Sequence, residues 1–170
     1  MRKDRKRQKI RNNISAFFKI ALLGLVVFII LNTFVFSVIT IDGSSMNPTL
    51  NHGDKLIFSK LGISSTSLER GDIILFEGRD DVTYVKRIVG LPGEFIEIDK
   101  GKIFINGREY TDDVTDEYTH HYNVTKWYLQ EGEFFTLGDN RALDDSKDSR
   151  VFGPIEIDNI EGEFLTRIGF

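Results

Sequence analysis

Hydrophobic positions in this chain follow two patterns. From Ile20 to Ile39 they run almost unbroken, with Asn32, Thr33 and Ser37 as the only polar members. A helix of that length rises about 1.5 Å per residue and so spans roughly 30 Å, the thickness of a bilayer's hydrocarbon core. From Ile39 onward the apolar positions fall into short runs: Lys55 to Phe58, Asp72 to Phe76, Val82 to Val85, Phe95 to Ile98, Ile103 to Ile105, Phe134 to Leu137 and Glu163 to Ile168. Runs of this length, rich in Ile, Val and Phe, predict strands. Gly53-Asp54 and Gly71-Asp72 read as turns that precede strands. Asp99-Lys100-Gly101-Lys102 predicts a hairpin, and Asn106-Gly107 a second tight turn. Leu61 to Glu69 reads as a loop or one helical turn. The polar residues 111–126, with Tyr118, Tyr122 and the pair His120-His121, predict a mobile excursion from the sheet. The pattern as a whole predicts an all-β body behind one N-terminal transmembrane helix.

Charge adds an orientation. Residues 1–19 carry eight Lys or Arg and one acid, a charge of +7, which leaves 14 basic and 25 acidic residues and −11 for the rest. Positive charge stays on the cytoplasmic side of a membrane span. Residues 1–19 are therefore expected to be a cytoplasmic basic segment, 20–39 a single-pass span in the cell membrane, and 40–170 an extracytoplasmic domain. Lys19 can reach the lipid headgroups. A body at −11 repels nucleic acid; the basic end could be a nucleic-acid arm, but its position against the apolar run argues for membrane topology, with the lipid bilayer as its partner. A cleaved signal peptide is the competing reading. The apolar run exceeds the usual 7–15 residues, and Val35-Phe36-Ser37 matches a small-x-small cleavage site poorly. The chain has no cysteine, so no thiol nucleophile, disulfide or thiolate metal site is expected, and its three histidines are too few and scattered for a zinc site of the usual spacing.

Candidate chemistry begins at Ile41 to Leu50. Ser44 and Ser45 lie between Gly43, which permits unusual backbone angles, and Met46 and Pro48. The stretch reads either as a Ser-rich β-turn or as a turn that presents a hydroxyl. A serine needs a base to become a nucleophile. His52 reads as a solvated turn residue, and His120 and His121 sit in the most polar part of the chain. Lys86 ends the predicted strand Val82 to Val85, on the same face as Val82 and Tyr84, with Arg87 on the other face if the strand continues. An ordinary lysine is neutral in about one molecule in 2,500 at pH 7, and burial or a nearby cation must lower its pKa by roughly three units for it to act as a base. A lone strand lysine is otherwise a solvated residue. The segment Gly138 to Arg150 is dense in Asp, Ser and Arg, and fits a hydrogen-bonded scaffold or a solvated loop equally.

Four boxes together resemble the type I signal peptidases, membrane-anchored serine proteases with a Ser-Lys dyad. They are Gly43-x-Ser45-Met46-x-Pro48-Thr49-Leu50; Arg70-Gly71-Asp72-Ile73-Ile74-x-Phe76; Tyr84 to Glu94; and Gly138-Asp139-Asn140-Arg141 with Ser146-x-Asp148-Ser149-Arg150. They stand in the family's order behind an anchor of the right orientation. The resemblance implies an antiparallel β-sheet catalytic domain with a small β extension at about 97–130. It implies Ser45 as nucleophile and Lys86 as general base, a chemistry that requires no metal or cofactor. It implies that Ser146 orients the Lys86 amine, and that Asp139, Arg141, Asp148 and Arg150 support the site. The Ser45 backbone N–H would be one oxyanion donor. Strands Ile39 to Asp42 and Asp81 to Tyr84 would flank an extended substrate, with Ile41, Asp42, Val82 and Tyr84 as binding residues. The substrates implied are secretory preproteins whose signal peptides carry small residues at the first and third positions before the cut. Two departures stand out. Gly43 replaces a serine that offers a second oxyanion donor in some members. Four residues, Ala142 to Asp145, separate the last two motifs where two are usual. A self-cleaving repressor also uses Ser and Lys, but the anchor and the acidic body leave no room for its DNA-binding domain. A non-catalytic anchored β-domain that binds extended peptides is the remaining alternative.

Overall fold

The structure, a computed structural model, describes residues 2–115, 118–142 and 146–169. It divides into two units, Met1–Phe36 and Ser37–Phe170.

The first unit is one long helix, α1 (Arg2–Ile30), continued by a π-helical turn over Leu31–Val35. Its first part is rich in Arg and Lys, which are good helix formers. The segment Ala16–Val35 is long and apolar enough to cross a membrane. Its large apolar side chains, such as Leu23 and Phe28, are exposed. The helix expected to reach Ile39 stops four residues earlier. Phe36-Ser37-Val38-Ile39-Thr40 instead forms a strand, β1 (Phe36–Thr40), with Ser37 and Ile39 turned inward and the rest exposed. The β-branched Val38, Ile39 and Thr40 suit a pleated edge better than a helix.

The second unit is built from antiparallel strands. In chain order after β1 these are β2 (Lys55–Ser59), β3 (Ile73–Glu77), β4 (Thr83–Gly90), β5 (Phe95–Asp99), β6 (Lys102–Ile105), β7 (Arg108–Tyr110), β8 (Lys126–Tyr128), β9 (Glu133–Leu137), the short helix α2 (Ser149–Phe152), β10 (Ile155–Glu156) and β11 (Ile160–Ile168). Seven strands form one sheet in the order β1-β2-β11-β3-β4-β9-β10, and four form a second in the order β7-β6-β5-β8. The two-residue loops Lys100-Gly101 and Asn106-Gly107 have positive φ at both positions, as the tight hairpin turns of the second sheet require.

β3 is central, which explains its unbroken run Ile73-Ile74-Leu75-Phe76: all four are buried. On one face Ile73 and Leu75 pack with Met46, Leu50, Phe58 and Val85. On the other Ile74 and Phe76 pack with Leu68, Ile88, Phe134 and Ile160. A third cluster, including Val89, Phe135, Ile96, Ile103 and Trp127, joins the two sheets. β4 runs past Lys86 to Gly90 rather than ending there. β3 pairs with β4 from Thr83 to Arg87, whereas β9 pairs with β4 only from Arg87 onward. The first half of β4 therefore has one edge that β9 does not cover.

Candidate active site

The turn that carries Ser45 is fixed from below by two anchors. Met46 and Leu50 are buried against the core, and the chain between them closes on itself, with Asn47 N–H donating to Ser44 C=O (3.0 Å) and Leu50 N–H to Met46 C=O (2.9 Å). This leaves Ser45 at the surface of the turn. Among the described residues its N–H meets no acceptor. Its C=O accepts from Asn140 N–H at 3.1 Å. Gly43 has φ +111°, a conformation that favours glycine. Its N–H donates to His52 Nδ1 at 3.2 Å, so the residue at the position of the second oxyanion donor has no hydroxyl and its amide is occupied. His52 is otherwise exposed.

Lys86 lies in the middle of β4, paired with Ile74 of β3, and is 2% exposed. Its Nζ is 2.7 Å from Ser45 Oγ, to which it donates. It lies 5.7 Å from the centre of the Tyr84 ring. Burial pulls the Lys86 pKa down from 10.5 to about 8; the Asp148 charge opposes this, Arg150 adds to it, and Asp139 opposes it. The amine is thus half neutral at pH 8 and about one-tenth neutral at pH 7.

Around this pair the segment Gly138 to Arg150 forms a scaffold. Asp139, Arg141, Ser146, Asp148 and Arg150 are all buried. Asp148 accepts from Gly138 N–H (3.0 Å), from Ser146 Oγ (2.7 Å) and from Arg150 Nη2 (2.7 Å), and caps α2 through Arg150 N–H (3.1 Å). The Ser146 hydroxyl thus gives its hydrogen to the Asp148 carboxylate rather than to Lys86. Gly138 allows the close approach: a Cβ there would overlap both the Ser45 carbonyl oxygen and Ser146 Oγ. Ser149 Oγ accepts from Thr136 N–H of β9 (2.9 Å), which ties the scaffold to the sheet. Leu143, Asp144 and Asp145, three of the four residues in the longer loop, lie outside the described residues.

Arg87 has no role in the reading of the sequence, although it stands beside Lys86 in the third box. On the opposite face of β4 it clasps Asp139 with Nε (2.8 Å) and Nη2 (2.6 Å) and donates to Gly71 C=O (2.7 Å). The signal was present: an arginine inside a buried strand requires a carboxylate partner. Asp112 and Thr119 were also missed. Both reach Arg141, and the described part of 111–126 is docked on the scaffold rather than free of it.

A groove of about 540 Å³ runs from Ser45 and Lys86 between two walls, residues 39–46 and 82–85, with Lys147 on its rim. The four expected binding residues Ile41, Asp42, Val82 and Tyr84 line it. The walls are shorter strands than expected. β1 ends at Thr40, and Ile41 gives its N–H to Asp54 C=O and its C=O to Gly53 N–H (2.8 and 2.9 Å). On the other wall Asp81 turns at φ +57°, and β4 starts at Thr83. Residues 53 and 54 thus take both backbone bonds of Ile41, and on the other wall the turn's Gly78 N–H takes the Val82 C=O (2.8 Å). The Tyr84 hydroxyl donates to Asp80 (2.8 Å), with Lys147 Nζ 3.8 Å from the same carboxylate.

Residues 14–168 match the family described as signal peptidase, peptidase S26. The chain is 29% identical over 162 residues to signal peptidase IB of Staphylococcus aureus, covering 85% of this chain and 84% of that protein. It is 33% identical over 135 residues to signal peptidase I V of Bacillus subtilis, covering 72% and 79%. A crystal structure of a signal peptidase I from Enterococcus faecalis is 33% identical, covers 58% of this chain and 97% of that one, and superposes with a TM-score of 0.49. The chain belongs to the signal peptidase family, peptidase S26, and is a serine endopeptidase of the hydrolase class.

Proposed function

We propose that this protein removes signal peptides from exported preproteins with Ser45 as nucleophile and Lys86 as general base. The observation that carries the reading is the buried amine of Lys86 at 2.7 Å from Ser45 Oγ. Neutral Lys86 takes the Ser45 proton as Oγ attacks the scissile carbonyl. The Ser45 N–H, without another acceptor, donates to the developing oxyanion, a contribution of typically a few kcal/mol. Collapse breaks the C–N bond, and the leaving amine takes its proton from the Lys86 ammonium. Water, deprotonated by Lys86, then attacks the acyl-enzyme and frees Ser45. Asp148 and Ser146 hold the Gly138 backbone against Ser45, and Arg87 with Asp139 fixes the far side of β4.

An extended signal peptide binds between β1 and the uncovered edge of β4 by main-chain hydrogen bonds. The groove at Ile41, Asp42, Val82 and Tyr84 admits small side chains at the first and third positions before the cut. Ala16–Val35 anchors the protein in the cell membrane, with the basic residues before it in the cytoplasm and the β-rich body outside. Ser45 follows the span's last residue, Val35, by ten positions, which suits a substrate that is itself a membrane-crossing peptide.

The test is preprotein cleavage by full-length protein in detergent. Ser45→Ala and Lys86→Ala should each abolish cleavage while the fold persists, and Ser44→Ala should retain most of it. Cleavage by Ser45→Ala or Lys86→Ala at the wild-type rate would refute the dyad.

A further inference from the structure

No step above requires the segment between β7 and β8, yet three of its residues reach the scaffold. The Asp112 carboxylate pairs with the Arg141 guanidinium. Thr119 Oγ1 accepts from Arg141 Nη1 at 3.2 Å, and His120 C=O accepts from Arg150 Nη1 at 3.0 Å. Asp112 and Arg141 have side chains only 8% and 3% exposed, so the pair is largely withdrawn from solvent.

Arg141 turns its third nitrogen, Nε, toward the site. Its Nε bonds Gly138 C=O at 2.9 Å, and its own C=O accepts from Arg150 Nη1 at 2.9 Å. Residues 138–141 are the loop on which Ser45 rests, through the close approach of Gly138 and the bond from Asn140 N–H to Ser45 C=O. Three links thus lead from the Asp112 carboxylate to the nucleophile's backbone: Asp112 to Arg141, Arg141 to Gly138, and the 138–141 loop to Ser45. Without the Asp112 charge, the buried Arg141 cation loses its carboxylate partner and is driven to move toward water. The loop that it holds would move with it. A displacement of about 1 Å at a reacting group can cost on the order of a hundredfold in rate.

We propose that Asp112 is a positioning residue for the cleavage reaction, setting the 138–141 loop through Arg141 and, with it, the contact between Ser45 and Lys86. The proposal rests on the dyad reading. The bland alternative is that Asp112 only stabilises the fold, and kinetics separate the two. Full-length protein in detergent is compared as wild type, Asp112→Asn, Arg141→Gln, the double variant, and Glu109→Gln as a control three residues away on β7. Rates are taken far below each melting temperature and scaled to the folded fraction. Asp112→Asn should lower kcat about tenfold or more with KM within about twofold, and Glu109→Gln should change neither. In the Arg141→Gln background Asp112→Asn should add less than about twofold, because both substitutions cut the same link. Thr119→Val, which removes Arg141's other side-chain partner, provides the second cycle if Arg141→Gln does not fold. Unchanged kcat, a loss confined to KM, or multiplying effects would overturn the proposal. Ser45→Ala is measured alongside: cleavage that survives in it refutes the dyad, whereas its loss together with a silent Asp112→Asn refutes the positioning role alone.

Discussion

Lys86→Met should make the protein more stable and inactive, with a stability gain that depends on pH. The methionine keeps most of the apolar stem and removes the ammonium. Lys86 is buried, and its folded pKa of about 8 lies below the unfolded value of 10.5. Between those values the unfolded chain binds more protons than the folded one, so stability rises with pH; below 8 both states are protonated and the cost of the buried charge is felt in full. A gap of roughly 2.5 pH units corresponds to about 3 kcal/mol. At pH 9 the folded amine is mostly neutral, and about 1 kcal/mol of that cost has gone. Loss of the bond to Ser45 offsets part of the gain. The expected result at pH 7 is a variant about 1–3 kcal/mol more stable than wild type, with the difference shrinking by about 1 kcal/mol at pH 9. Denaturant titration in detergent can be followed by fluorescence of Trp127, the single tryptophan, buried between the two sheets. A variant less stable than wild type at pH 7, or a difference that does not change between pH 7 and 9, would refute the reasoning.

Two further outcomes follow from the same site. In a pH–rate profile, kcat/KM should fall as pH drops below about 8, because Lys86 must be neutral to accept the Ser45 proton; a limb centred near pH 6, where histidine titrates, would contradict this. Asp139→Asn should cost roughly 3–5 kcal/mol in denaturant melts, since it strands the Arg87 cation inside the sheet, and a loss below about 1 kcal/mol would show that the clasp contributes little.

Much of this architecture was legible in the chain. The change from a continuous apolar run to short runs marks where the helix gives way to strands, although it could not place the boundary, because Phe36 to Ile39 is apolar enough for either. Met46 and Leu50 could be read as apolar, but not as the two anchors that lift Ser45 out of the core. The sequence pairs Lys86 with Ser45 only through a resemblance; their 2.7 Å separation depends on β4 running on past Lys86 and on the turn folding back over it. Polar composition misled at 111–126. Asp112, Thr119 and the carbonyl of His120 look like solvated loop groups until the buried Arg141 and Arg150 are seen to need them. Long-range partners of this kind leave no periodicity along the chain, and the same holds for Arg87 and Asp139, which lie 52 residues apart.

The central claim is that the Ser45 hydroxyl, activated by Lys86, is the group that attacks. It is tested most directly by mapping where a serine-directed acylating inhibitor attaches. Wild-type protein is labelled at pH 8, digested and sequenced by mass spectrometry, with Lys86→Ala treated identically. The account predicts one acyl group, on Ser45 and not on Ser44, and little or none in Lys86→Ala. A label on Ser44 or on Ser146, or labelling of Ser45 at an undiminished rate without Lys86, would contradict it.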